Sequence, residues 1–257
     1  MHDREVIIYQ PWGGLGDNLA HTPIPRLCKE LGYKCLLSTK NKFRNSQIYE
    51  LLYKDLDCID GTTDKINESW QNGYTQINKP GWNHIRHVQL GYGFEEAPYY
   101  YPLINYQPKF IEELKDVTLV DLSGDHCYTY FPHLYNKDNL LKISNRLLEV
   151  YKLQNLLTVE KNNIDNTDIK ITNEIYKIDS LFNYSDILYS CKNFICIDSG
   201  PGNLACTIKN QFKTNTNIFI IGMSHQLPPN KYDTYNYVNA NYITSDTYTI
   251  IKSNEKN

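Results

Sequence analysis

Two stretches of this chain hold the residue types from which anion-binding and proton-transfer sites are made. Near the amino end, Pro11-Trp12-Gly13-Gly14-Leu15-Gly16-Asp17-Asn18 follows the apolar run Val6-Ile7-Ile8-Tyr9. Glycines at 13, 14 and 16 permit positive φ and let a ligand approach the backbone closely. Asp17 falls in the turn or at the start of the helix that follows. There an aspartate serves either as a cap for backbone N–H groups or as a carboxylate open to chemistry. Trp12, beside the loop, reads as core packing or as a ring on which a ligand stacks. In the second stretch, the apolar run Ile195-Cys196-Ile197 stops at Asp198-Ser199-Gly200-Pro201-Gly202-Asn203, and Leu204-Ala205-Cys206-Thr207-Ile208 then supplies the buried face of a helix. Unpaired N–H groups at a helix start, with the positive end of its dipole, bind anionic oxygen without a lysine. A nucleotide's phosphates would sit there, on hydroxyl and backbone donors of Ser199, Gly200, Pro201, Gly202 and Asn203. Asp198 reads equally as a holder of sugar hydroxyls and as a cap of the turn.

The elements that must position these residues alternate between strand and helix. Val6–Tyr9, Lys34–Ser38 and the segment at Cys58-Ile59-Asp60 alternate with helices over Leu19–Leu31, closed by Gly32, and Ser46–Tyr53. This is the βαβ rhythm of a parallel sheet covered by helices. From Gly61 to Pro108 the pattern loosens, with one helix between Asn83 and Gly91; a long irregular segment of this kind is either an acceptor-binding surface or a tolerated insertion. Strand rhythm resumes at Val117–Leu122, ending in Ser123-Gly124, followed by a helix over Lys137–Tyr151, an Asn-rich loop from Lys161 to Asp168, a strand at Ile169–Ile171 and a helix over Leu181–Cys191. Phe194–Ile197 and Ile218–Ile221 are two further buried strands, and the tail after Ser245 is peripheral. The domain boundary is placed near residue 110, giving an amino-terminal domain over 1–110 and a carboxyl-terminal domain over 111–257.

Composition narrows the function classes. A hydrophobic fraction of 41% and a charged fraction of 21% over 257 residues suit a globular protein with an ample core. No apolar stretch reaches the roughly 20 residues of a membrane span, and the first residues run straight into a strand, so a cytoplasmic protein without an export signal is expected. Seven cysteines, none in Cys-x-x-Cys spacing, read as buried hydrophobes in a reducing compartment, and no metal site is expected. A net charge of −3 gives no broad attraction to nucleic acid. A Gly-x-Ser-x-Gly elbow and a Gly-Lys-Ser/Thr loop are both missing, which removes hydrolase and Walker-type readings.

The two stretches together resemble glycosyltransferase family 9, the ADP-heptose:lipopolysaccharide heptosyltransferases. Gly13-Gly14-Leu15-Gly16-Asp17-Asn18-Leu19-Ala20-His21-Thr22-Pro23 matches that family's amino-terminal Gly-x-Leu-Gly-Asp turn and Thr-Pro pair. Ile197-Asp198-Ser199-Gly200-Pro201-Gly202-Asn203-Leu204-Ala205 matches its Asp-Ser/Thr-Gly-Pro-x-His-Leu-Ala pattern, with Asn203 in place of the histidine. Phe219-Ile220-Ile221-Gly222-Met223-Ser224 is similar to the next strand and its Phe-Gly-Pro-Thr loop, with Met223 where proline is usual.

The resemblance implies an α/β fold of two Rossmann-like parallel-sheet domains, a compact GT-B architecture with a cleft between them. The first domain would serve the acceptor and the second the nucleotide sugar. It implies Asp17 as the catalytic base, with Trp12, Gly13, Gly14 and Gly16 as the acceptor-side loop. Ser123, Gly124, Asp198, Ser199, Gly200, Pro201, Gly202 and Asn203 would bind the donor. The partners implied are a nucleotide-sugar donor and a hydroxyl acceptor: a glycan, a lipid-linked saccharide or, in a viral protein, a hydroxylated nucleic-acid base. Transfer would be metal-independent and inverting, with no resident cofactor. The family's phosphate-binding lysine has no counterpart after Ser123, where Asp125-His126-Cys127-Tyr128 stand. Backbone N–H groups, His126 or an arginine from elsewhere would have to replace it. Two competing readings are a nucleotide- or sugar-binding protein on a decayed GT-B scaffold and a fucosyltransferase-like enzyme using a GDP-sugar.

Overall fold

Val6 and Ile8 are buried on strand β1 (Glu5–Ile8), the first element of a computed structural model that describes residues 4–71, 84–94, 101–123, 136–161, 172–222, 240–244 and 250–252. Strand β1 pairs in parallel with β2 (Lys34–Ser38), and β2 in parallel with β3 (Gly61–Thr63). The third strand therefore starts just after the expected Cys58-Ile59-Asp60. Asp60 instead closes the turn before it, its N–H donating to Cys35 O at 2.8 Å and its carboxylate accepting from Cys35 N at 2.7 Å.

The helix expected over Leu19–Leu31 is two helices, α1 (Leu15–His21) and α2 (Pro23–Leu31), and it begins earlier than expected. Pro23 has no N–H to give to the Leu19 carbonyl four residues back, which breaks the ladder there. Thr22 fills the gap: both its N–H, at 3.1 Å, and its hydroxyl, at 2.8 Å, donate to Leu19 O. The same hydroxyl oxygen accepts from Leu103 N at 2.8 Å. Gly32 ends α2 at φ 71°, the left-handed cap that glycine permits. Helices α3 (Ser46–Leu52), capped by the Asn45 side chain, and α4 (His84–Gly91) complete this part.

The chain divides into two compact units, the first running to Tyr106 and the second starting at Gln107. Asn105 N donates to Leu51 O in the first unit at 2.7 Å. Lys109 N donates to Asp186 Oδ1 at 2.7 Å and Ile111 N to Ser190 Oγ at 2.8 Å in the second.

The second unit is a larger sheet built from β4 (Thr118–Asp121), β5 (Leu156–Lys161), β6 (Ile175–Ile178), β7 (Asn193–Ile197), β8 (Asn217–Gly222), β9 (Ala240–Thr244) and β10 (Ile250–Lys252). Its order is β10-β9-β8-β7-β4-β5-β6, parallel throughout except for the antiparallel edge strand β10. Numbered within the unit, β4 to β9 have the 3-2-1-4-5-6 order of a Rossmann fold, whose direction reverses between β4 and β7. Helices α5 (Lys137–Tyr151), α6 (Leu181–Ser190) and α7 (Gly200–Phe212) cross between the strands. Leu140, Ile143 and Leu147 of α5 pack on Val120, Ile195, Ile197, Phe219 and Ile221 to form the core. Both units thus contain the expected Rossmann-like parallel sheet. Strand β5 ends on Lys161, where the Asn-rich loop is expected to begin; the rest of that loop and the expected strand at Ile169–Ile171 lie outside the described residues. Among the described residues, no helix is long and apolar enough to cross a membrane. The described cysteines are free, and Cys28, Cys35, Cys191, Cys196 and Cys206 are buried.

Candidate functional site

In the first unit the glycine loop lies after β1, at the carboxyl end of its sheet. Gly13 adopts φ 75°, and its carbonyl accepts from Arg44 N at 2.9 Å. Gly14, extended, takes the N-cap position of α1, which no side chain caps. Asp17 is therefore not the cap residue but stands in the first turn, where the helix dipole favours a carboxylate. Its Oδ2 lies 2.5 Å from where a Cβ on Gly14 would be, so the carboxylate folds back over the bare Gly14 backbone. Gly16 is buried in α1. Trp12 is 56% exposed rather than in the core. Its N–H donates to Gln10 Oε1 at 2.6 Å, and its ring meets the fully buried Trp70 edge-on at 4.9 Å.

His21, one turn beyond Asp17, donates from Nδ1 to the Asp17 carbonyl at 3.0 Å and packs edge-on against Trp70 and Tyr92. Burial pushes its pKa down to about 4, although the bond to the Asp17 carbonyl opposes the shift. At neutral pH the imidazole beside Asp17 is therefore uncharged. Below its ordinary value of 6.5 the unfolded chain binds a proton at His21 that the folded chain refuses until about 4. Stability is thus lost as the pH falls through that window, by up to about 3 kcal/mol. Buried His87 is lowered to about 4 by the same cause and adds to the effect. The expected result is a melting temperature that drops between pH 6.5 and 4.5, with a shallower drop in His21→Phe; equal slopes would contradict it.

In the second unit, Asp198, Ser199, Gly200 and Pro201 are half-buried at the carboxyl end of β7 and the start of α7. Ser199 holds the N-cap position in extended conformation without capping the helix through its side chain. Its hydroxyl instead lies 3.3 Å from Ile197 O and 3.4 Å from Ser123 O, tying the ends of β7 and β4 together at the point of reversal. Asp198 N donates to Ile221 O at 2.9 Å. Gly202 and Asn203 are buried. A Cβ on Gly202 would sit 3.1 Å from Cys196 Sγ, so this glycine lets α7 approach β7 closely.

The structure also reveals a group that the sequence reading missed. Asp121, 1% exposed at the end of β4, accepts from Ser123 N at 3.0 Å and Ser123 Oγ at 2.5 Å through Oδ1, and from Lys161 Nζ at 2.6 Å and the Tyr184 hydroxyl through Oδ2. Lys161 Nζ also donates to Ser123 Oγ at 2.6 Å. Burial disfavours the Asp121 carboxylate, but the Lys161 charge and the bonds from Lys161, Ser123 and Tyr184 outweigh it and hold its pKa below the ordinary range. The Ser123 hydroxyl proton and backbone N–H are both committed to Asp121. The signal available in the sequence was a lysine closing the run Leu156-Leu157-Thr158-Val159.

The structure therefore gathers Trp12, Gly13, Gly14, Gly16 and Asp17 on one loop of the first unit. It gathers Ser123, Asp198, Ser199, Gly200 and Pro201 at one sheet edge of the second, with Gly202 and Asn203 in the packing beneath. Gly124, His126 and Met223 lie outside the described residues.

No protein-family model and no curated protein matches this sequence. Solved structures do match its fold. The dodecameric iron-containing glycosyltransferase TibC from enterotoxigenic E. coli H10407 aligns with a TM-score of 0.58 and 15% identity over 92% of this chain. TibC in complex with ADP-D-beta-D-heptose aligns at 0.55 and 14%. E. coli ADP-heptose LPS heptosyltransferase II gives 0.53 at 10% identity, covering 94% of this chain and 90% of its own. The glycosyl transferase family 9 protein of Veillonella parvula DSM 2008 gives 0.53 at 10%, covering 96% and 87%. The chain spans 62% of the length of TibC. Among the described residues, no three His, Cys, Asp or Glu side chains are grouped as a metal site would require. The fold of this chain is that of the heptosyltransferases and their family 9 relatives.

Proposed function

We propose that this protein is a glycosyltransferase that moves a sugar from a nucleoside-diphosphate sugar to a hydroxyl acceptor. The observation that carries the reading is the Ser199-Gly200-Pro201 turn at the reversal point of a Rossmann-ordered sheet, where α/β proteins bind nucleotides. The fold shared with TibC, solved with ADP-D-beta-D-heptose, supports a donor of that class. In the proposed reaction the acceptor oxygen attacks the anomeric carbon and gives its proton to Asp17. The bond from that carbon to the diphosphate oxygen breaks, and the electron pair leaves with the diphosphate. A single displacement of this kind inverts the anomeric centre. Protein donors at the start of α7 meet the leaving charge, in keeping with a sequence that carries no Asp-x-Asp motif in a suitable strand-end loop.

The test is thermal melting with ADP, UDP, GDP and CMP, followed by transfer assays with the corresponding sugars. A matching nucleotide at a hundred times its Kd stabilises the fold by about 2.7 kcal/mol and raises Tm by roughly 5–10 °C. No shift and no transfer would overturn the reading. A shift without transfer would favour the binding protein on a GT-B scaffold.

A further inference from the structure

The end of β4 and the end of β5 carry opposite charges in a fixed orientation. Asp121 is 1% exposed, whereas the Lys161 side chain is 14% exposed, so the negative end of the pair lies inside the sheet and the positive end toward its carboxyl edge. Both carboxylate oxygens are satisfied, each by two donors: Ser123 N and Oγ on one, Tyr184 and Lys161 on the other. An ammonium has three N–H donors. Asp121 Oδ2 and Ser123 Oγ, each at 2.6 Å, take two of those on Lys161, and the Tyr184 ring lies 5.2 Å to one side. Ser123 in turn touches Ser199 through its carbonyl, which places the ammonium one residue away from the turn that opens α7. A buried ion pair of this kind is poor value for stability alone and fits a role in positioning.

We propose that Lys161, held by Asp121, Ser123 and Tyr184, supplies the positive charge that binds the donor's diphosphate and stabilises it as the sugar departs. The proposal rests on the glycosyltransferase reading and deepens it. It assigns the charge to the strand beside β4, whereas the loop after Ser123 carries no lysine up to Tyr128. Asp121 and Tyr184 are positioning residues, acting through the ammonium.

The experiment uses the full chain with Asp121→Asn/Lys161→Met, which removes both charges together and leaves no orphaned carboxylate, and with Lys161→Arg, which keeps the cation. Calorimetry measures binding of the nucleoside diphosphate found for the wild type and of its nucleoside. In the double variant the diphosphate is expected to bind about 10–100-fold more weakly, a loss of about 1.4–2.7 kcal/mol. The nucleoside should bind as in the wild type, the diphosphate affinity of Lys161→Arg should lie closer to the wild type than to the double variant, and turnover should fall with the diphosphate affinity. A merely structural pair would weaken diphosphate and nucleoside alike. That result, or a folded double variant with wild-type diphosphate affinity, overturns the assignment while the wild type still transfers sugar. A wild type that binds no nucleoside diphosphate overturns the glycosyltransferase reading and this proposal with it.

Discussion

Replacing Asp17 by asparagine is expected to lower sugar transfer by about 10²–10⁴-fold, the usual contribution of a general base, while leaving nucleoside diphosphate affinity unchanged. The amide keeps the size and most of the hydrogen bonding of the carboxylate but takes no proton. The donor-binding elements proposed here belong to the second unit, whereas Asp17 stands on α1 of the first, so chemistry and donor affinity should separate. The fold should barely register the change, because a carboxylate in a first helical turn is worth only about 0.3–1 kcal/mol. Single-turnover transfer and calorimetry on the same preparation check both halves. Undiminished transfer by Asp17→Asn would remove this residue from the mechanism.

The largest structural effect is expected at Gly91. A Cβ there would lie 2.2 Å from both Cα and the carbonyl oxygen of Trp70. Backbone cannot swing aside as a side-chain tip can, so Gly91→Ala must push α4 away from the turn at Ser69–Gln71. Overpacking of this kind costs about 3 kcal/mol or more. Trp70 is the fully buried ring against which both Trp12 and His21 are set, so the glycine loop should loosen with it. Urea melts should show the loss of stability, and tryptophan fluorescence a changed environment at native conditions. A variant as stable as the wild type would show that the contact relaxes without cost.

Legibility in the sequence followed the strength of local patterning. The boundaries of α5, Lys137–Tyr151, could be read from its periodicity, and its Asn136 side chain caps the first turn. The buried strands β7 and β8 stood out because parallel strands covered on both faces read as continuous apolar runs. Strand β5 did not, since only Thr158 within it is buried and an Asn-rich stretch follows directly. Within the candidate site, both glycine turns announced themselves by composition, yet the purpose of Gly202 depended on the phase of α7 against β7, which spacing does not reveal. The Asp121–Lys161 pair was hidden for a deeper reason. It exists only because β4 and β5 are neighbours in register, a tertiary fact that joins residues far apart in the chain.

The Thr22 hydroxyl that bridges α1 and α2 has a practical corollary for dissecting the molecule. Through Leu103 it fastens the end of the first unit, and Asn105 is fastened to Leu51, while Lys109 and Ile111 are already secured to α6. A protease nick or a split-protein junction between Gln107 and Pro108 would therefore leave each fragment with its own half of the connector stitched down.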